Sequence, residues 1–307
     1  MKMTFLKSLF IWMLFVLLPH NCVAQQWQVS LVDSFPKSDA AIKIGKGAAI
    51  DTDFQNNIFV LDRGNHQLLK FSLDGKLLDQ IGGFGRGNDG FDNPSDVVAN
   101  TSLDVFVADY YNRRVVRFDK NLNFLSQLTS ELDPPYDFDR VLSVAVSPQY
   151  DLFLLEDRDN RIIKFNRFSE ATAVLGGMDD PYAQLLEPTD LALDANLQLY
   201  VADPGQQAIV VFDYLGNYLR KIEHPAFEQP RAISFDSKDN LLVTDTAKRC
   251  IFVFEKGLRF SGIIDAGLLH RDIVGAVKIN AEKQKKQYVV VLGNNRCFVL
   301  EITQTSP

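Results

Sequence analysis

The sequence predicts an all-β fold built as a closed ring of six repeated units, and three observations carry that expectation. An acidic residue returns every 47 positions at Asp62, Asp109, Glu156 and Asp203, and Asp245 follows after a step of 42. Phe71, Phe118, Phe165, Phe212 and Phe254 keep the same intervals. A period of about 40–50 residues with strands in each unit marks a propeller or a solenoid. Third, residues 25–307 number 283, and six units of 47 consume 282 of them. The chain beyond its leader is therefore expected to form one domain, residues 25–307.

Each unit divides into four short strands. In the second unit, Asp96 to Ala99 is a first strand, and Leu103 to Ala108 is a second, rich in the branched and aromatic residues that suit a pleated surface. Val115 to Phe118 and Asn123 to Leu128 follow, with polar turns between. Four antiparallel strands per unit, repeated radially, make a propeller blade. Gly75 and Gly216 stand where tight hairpins need a positive φ. The run Gly82-Gly83-Phe84-Gly85-Arg86-Gly87 precedes Phe91 and Pro94 without a helix after it. A phosphate-cradling loop needs that helix, so the run reads as a connection between blades. The sixth unit supplies only three strands, Ile273–Ile279, Gln287–Leu292 and Arg296–Ile302. The segment Trp27 to Val32 is expected to complete it, closing the ring and covering an exposed edge.

Residues 1–24 read as a signal peptide: Lys2 and Lys7, an apolar core from Leu9 to Leu18, then Cys22-Val23-Ala24 at a cleavage site. The core is too short to span a bilayer, which takes roughly 20 residues. The expected protein is secreted or periplasmic, without a membrane span, and monomeric. Loss of the two leader lysines takes the net charge from −7 to −9, which argues against nucleic acid as a partner. Cys250 and Cys297 lie 47 apart at equivalent places in neighbouring units. Equivalent points on adjacent blades should exceed the roughly 7 Å Cα limit for a disulfide, so both are expected as buried thiols.

The segments Leu199-Tyr200-Val201-Ala202-Asp203 and Val105-Phe106-Val107-Ala108-Asp109 resemble the core of the NHL repeat. So do Asn112-Arg113-Arg114-Val115-Val116-Arg117-Phe118 and the proline that opens most units. The resemblance covers residues 47–302. It departs in the sixth unit, where Leu292-Gly293 replaces the acid. It implies a six-bladed propeller. It says little about activity, because the family includes a peptide-amidating lyase, RNA- and protein-binding domains and exported bacterial proteins.

By strand order, the turn between the second and third strands shares a face with the connections between blades. The family's usual binding face is this one. Two residue types recur there: the acid, and the series Gln67, Arg114, Arg161, Gln207, Arg249 and Arg296. Because it repeats with the blade, this pairing is expected to be one turn-stabilising contact per blade. Function is sought where the symmetry breaks. Asp96, Ser143 and Asp190 interrupt a series that is otherwise Ala49 and Ala232, and such oxygens at the channel mouth suit Ca²⁺. The competing reading is side-chain-to-backbone bonding. A second asymmetric group is Tyr110, Tyr111 and Arg113 with Asp157 and Arg158 on the next blade, joined by Tyr136 in a Pro-rich segment expected to protrude. Aromatics beside arginine form a contact surface for a protein or a glycan in the cell envelope or outside the cell. The alternative is a metal-assisted lyase or hydrolase at the channel mouth. It would use Asp96 and Asp190, or a zinc held by His66, His224 and His270, as the amidating lyase implies.

Overall fold

The computed structural model describes residues 25–37, 40–101, 103–178, 180–269, 271–281 and 286–304. The signal peptide expected over residues 1–24 lies outside them. Twenty-four strands form six four-stranded antiparallel blades, and no α-helix occurs among the described residues. Blade one runs β2 (Gly47–Thr52), β3 (Ile58–Asp62), β4 (Gln67–Phe71) and β5 (Leu77–Gly82). Blade two is β6 (Pro94–Val98), β7 (Asp104–Asp109), β8 (Arg114–Asp119) and β9 (Phe124–Thr129). Blades three to five repeat the pattern over β10–β13 (141–176), β14–β17 (190–223) and β18–β21 (230–265).

The first strands β2, β6, β10, β14, β18 and β22 (Ile273–Ala281) touch one another in sequence, and β22 touches β2, so the ring closes around an axial channel. The second strands of blades one to five are buried along their whole length because both faces pack against neighbouring blades. The fourth strands β5 and β9 alternate exposure because one face meets solvent. The phenylalanines of the 47-residue series are all buried, each filling a gap between blades.

Blade six is β22, β23 (Lys286–Gly293) and β24 (Cys297–Gln304), completed by the N-terminal β1 (Gln25–Phe35). β1 pairs antiparallel with β24 from Trp27↔Gln304 to Phe35↔Cys297, as the unpaired edge required. It also bridges β21 in parallel at Gln25↔Gly262 and Gln26↔Ile263, so one segment ties two blades. Cys250 and Cys297 are free and buried, and burial pushes the Cys250 thiol up to about 12.

Candidate functional site

The recurring acids prove structural, but their partners differ from the expected pair. Asp109 accepts from Arg114 Nε at 2.8 Å, and Glu156 from Arg161 Nε at 3.2 Å. Gln67 reaches Asp62 at 3.2 Å. In blades four and five the pair is absent: Gln207 donates to the Glu228 carbonyl and Arg249 to Asp272. What most of the acids share is a set of backbone amides from the preceding connection. Asp62 accepts from Gly45 and Lys46, Asp109 from Asp92, Asp203 from Leu186 and Glu187, and Asp245 from Glu228 and Gln229. Each acid thus anchors the chain as it enters a blade. The glycine-rich connection acts as the reverse of a phosphate cradle. It turns the carbonyls of Arg86, Gly87 and Gly90 onto the Arg114 guanidinium.

The register confirms the symmetry-breaking series. Ala49, Asp96, Ser143, Asp190, Ala232 and Gly275 all oppose the residue just before the second-strand acid or its equivalent. One level of the channel is therefore divided in two. Blades two, three and four present oxygens, while blades five, six and one present Ala232, Gly275 and Ala49.

The polar half is stitched by hydrogen bonds. A first strand is paired on one side only, so its inner N–H groups need acceptors from elsewhere. Asp51 supplies one to Ala99 (2.7 Å), Asp96 to Val144 (2.9 Å), Ser143 to Leu191 (3.0 Å) and Asp190 to Ile233 (2.7 Å). This is the side-chain-to-backbone reading, applied across blades rather than within one. Ser143 Oγ also lies 2.6 Å from Asp96 Oδ2 and 2.9 Å from Asp190 Oδ1. A hydroxyl has one proton to give, so two ionised carboxylates cannot both be served. A proton on Asp190 completes the chain: Asp190 donates to Ser143, which donates to Asp96. The electrostatics agree. Burial and then the neighbouring Asp96 hold Asp190 well above the ordinary carboxylate range. Burial pushes Asp96 and Asp51 up to about 6.

Asp96, Ser143 and Asp190 are therefore brought together as the sequence suggested, but as a proton-sharing latch whose oxygens face one another. Among the described residues no group of three or more His, Cys, Asp and Glu side chains is arranged to hold a metal ion. His66 Nδ1 accepts from Asn93 N–H at 2.9 Å. His224 Nδ1 accepts from Ala226, and its ring packs among Phe227, Phe252 and Phe260. Neither lines the channel, and His270 lies outside the described residues.

The second group lies on the face with the second-to-third-strand turns. Tyr110 donates its hydroxyl to Asp157 across the blade boundary, and Arg140 stands 5.3 Å over its ring. Burial, then that hydrogen bond, pushes the Tyr110 phenol up to about 12. Tyr111 packs edge-on against Tyr110 at 5.0 Å and keeps 51% of its surface exposed. Arg113 pairs with Asp139 at 2.8 Å, and Arg158 with Asp137 and Asp159 at 3.0 Å each. The segment Pro134 to Phe138 does not protrude. Phe138 is buried, Tyr136 packs against the core between blades two and three, and the Pro135 and Asp137 carbonyls accept from Arg161. A turn over Pro134 to Tyr136 brings Tyr136 and then Phe138 back onto the core, which the proline content obscured.

Sequence reasoning missed Arg63. It follows the blade-one acid, lines the channel beside Lys46 and Arg231, and its Nε is buried without a hydrogen-bond partner. No repeat signal marks it, because the position carries Tyr110, Asp157 and Pro204 in the next three blades.

Residues 91–118, covering β6 to β8 with the start of the blade, match the family model described as the NHL repeat. The chain is a six-bladed β-propeller that carries an NHL repeat. Compared with curated proteins, this propeller has no significant match. Among solved structures, it is similar to a catalytically inactive virginiamycin B lyase from Staphylococcus aureus with quinupristin. The TM-score is 0.62 at 11% identity, over 91% of this chain and 100% of the other. A streptogramin B lyase matches at TM-score 0.58 and 9% identity, over 91% and 98% of the two chains. A nidogen/laminin complex matches at 0.57 and 14%, over 73% and 82%. These likenesses are of fold.

Proposed function

We propose that this NHL-repeat propeller is an exported binding module that recognises a protein through the Tyr110–Tyr111 wall between blades two and three. One observation carries the reading. Tyr111 is half exposed on a base that cannot shift, because Tyr110 beneath it is held by Asp157 and Arg140 from the neighbouring blade. A rigid aromatic flanked by arginines loses little entropy on binding and offers the residue types that dominate protein interfaces. Phe84 extends the same face with 77% of its surface exposed, resting edge-on against His66. The family's binding and scaffolding members, and the nidogen/laminin structure of similar fold, favour the same class.

The test uses the mature chain, whose N-terminus is expected near Gln25 when the protein is recovered from the cell envelope or medium. An immobilised propeller should capture a defined envelope or extracellular protein. Tyr111→Ala with Phe84→Ala should reduce that capture at least tenfold. Leu215→Ala, in the third-to-fourth-strand turn of the opposite face, should leave it unchanged. Equal capture by both variants would overturn the proposed face. Binding to a glycan array with no protein captured would replace protein by sugar as the ligand.

A further inference from the structure

The channel cavity has a volume of about 510 Å³, and charged groups of both signs line it. Blades two to four contribute the carboxylates of Asp96 and Asp190, already engaged with Ser143 and with backbone amides. Asp51 of blade one lines it as well, its carboxylate engaged by the Ala99 and Asn100 amides of blade two. Blades five, six and one contribute the small residues Ala232, Gly275 and Ala49 at the same level. Small side chains there leave a bay on one side of the axis. A Cβ built on Gly275 would make ordinary contact with Ile50 at 3.4 Å and Ala232 at 3.8 Å, so an alanine there would narrow the bay without a clash.

Three cationic side chains, Lys46, Arg63 and Arg231, line the cavity on this side. Each lies at the channel end where the second-to-third-strand turns gather, since Lys46 immediately precedes β2, Arg63 follows β3, and Arg231 is the second residue of β18. Arg63 makes no ion pair or hydrogen bond among the described residues, and its Nε is enclosed without an acceptor. The groups acting on its charge are burial and the phenols of Tyr110 and Tyr111, with no carboxylate among them. Arg231 is exposed and donates only to the neutral Gln229 side chain. A guanidinium partly removed from water without a counter-charge is unfavourable unless something anionic completes it. Elsewhere in this protein the partly buried arginines are completed: Arg114 by Asp109, Arg117 by Asp104 and Arg161 by Glu156.

We propose that the bay formed by blades five, six and one is a carboxylate-binding subsite, with Arg63 as its principal ligand and Lys46 and Arg231 as flanking charges. The planar fork of arginine matches a carboxylate in geometry and charge. The lining carboxylates set polarity. Asp96, and Asp51 farther along β2, repel a second negative charge, so one acidic group enters with its charge toward Arg63. The inference deepens the proposed protein-binding function, because Tyr110 and Tyr111 lie within electrostatic reach of Arg63: an acidic side chain or C-terminus of the partner would seat in the bay while its neighbours rest on Tyr111.

The test is separate from any partner capture. Glutarate and its uncharged counterpart glutaramide are titrated into the full mature chain by calorimetry, with inorganic phosphate as a third probe. Saturable binding of glutarate, undetectable binding of glutaramide and at least tenfold weakening by Arg63→Gln are expected. The exposed Arg231→Gln should weaken binding severalfold without loss of folding, and Leu215→Ala should leave it unchanged. Absence of saturable glutarate binding, or binding equal in wild type and both variants, would overturn the subsite. Phosphate bound in preference to glutarate would overturn the carboxylate assignment.

Discussion

Two sets of carboxylates in this propeller do the same job beside different neighbours. Asp109, at the end of a second strand, accepts from one backbone amide and from the Arg114 guanidinium. Asp190, at the channel, accepts from Ile233 and Leu191 but faces another carboxylate through Ser143. Both latch one stretch of chain to another. Burial raises both carboxylates, but the Arg114 cation beside Asp109 opposes that shift, while Asp190 has no cation and its neighbour Asp96 adds to it. The sign of the nearest charge decides whether burial is opposed or reinforced.

Removing Asp109 should cost most. Asp109→Ala leaves Arg114 buried without its counter-ion, and breaking such a pair destabilises by about 3–5 kcal/mol. Urea unfolding of the two proteins measures it, and a loss below about 1 kcal/mol would mean that the carbonyls of Arg86, Gly87 and Gly90 suffice to hold the guanidinium.

Asp96→Ala should cost less, about 1–3 kcal/mol, because it strands the Val144 N–H and the Ser143 hydroxyl rather than a charge. Asp190→Asn keeps the shape and the donor toward Ser143, so it should be neutral below about pH 4 and stabilising at pH 7. A strongly destabilised Asp190→Asn at pH 7.5 would show that the latch is ionised.

The same logic sets a pH dependence. Asp51 and Asp96 titrate near 6 in the folded chain, above their ordinary 3.8. Protons are therefore bound more tightly in the folded state, and this contribution is fully present below about pH 4 and lost as pH rises through 6. Wild-type melting temperature, corrected by the profile of an Asp51→Asn, Asp96→Asn, Asp190→Asn triple variant, should fall from about pH 4 through pH 6. A flat or rising difference would contradict the shared proton. The smallest effect is expected at the exposed aromatic: Tyr111→Ala should change stability by no more than about 0.5 kcal/mol.

Much of the fold was legible because a repeat averages over local ambiguity. The 47-residue interval located every second strand, and blade six lacked a strand that only the N-terminal segment could supply. Strand ends were less legible: β6 begins at Pro94 rather than Asp96, and β1 reaches Phe35 rather than stopping at Val32. The candidate site was visible only as a break in the series. Asp96, Ser143 and Asp190 are 47 apart, so the register alone places them side by side. That Arg249 abandons Asp245 for Asp272 was not visible, since both partners sit at plausible spacing.

The sequence by itself determined the number of blades, the closure of the ring and the level of the channel at which symmetry fails. All of these follow from periodicity, which is a property of the chain. The tertiary structure decided which charges are compensated. Asp190 shares a proton and Arg63 stands uncompensated because blades bring together groups dozens of residues apart, and Coulomb energy depends on distance and burial rather than on sequence separation.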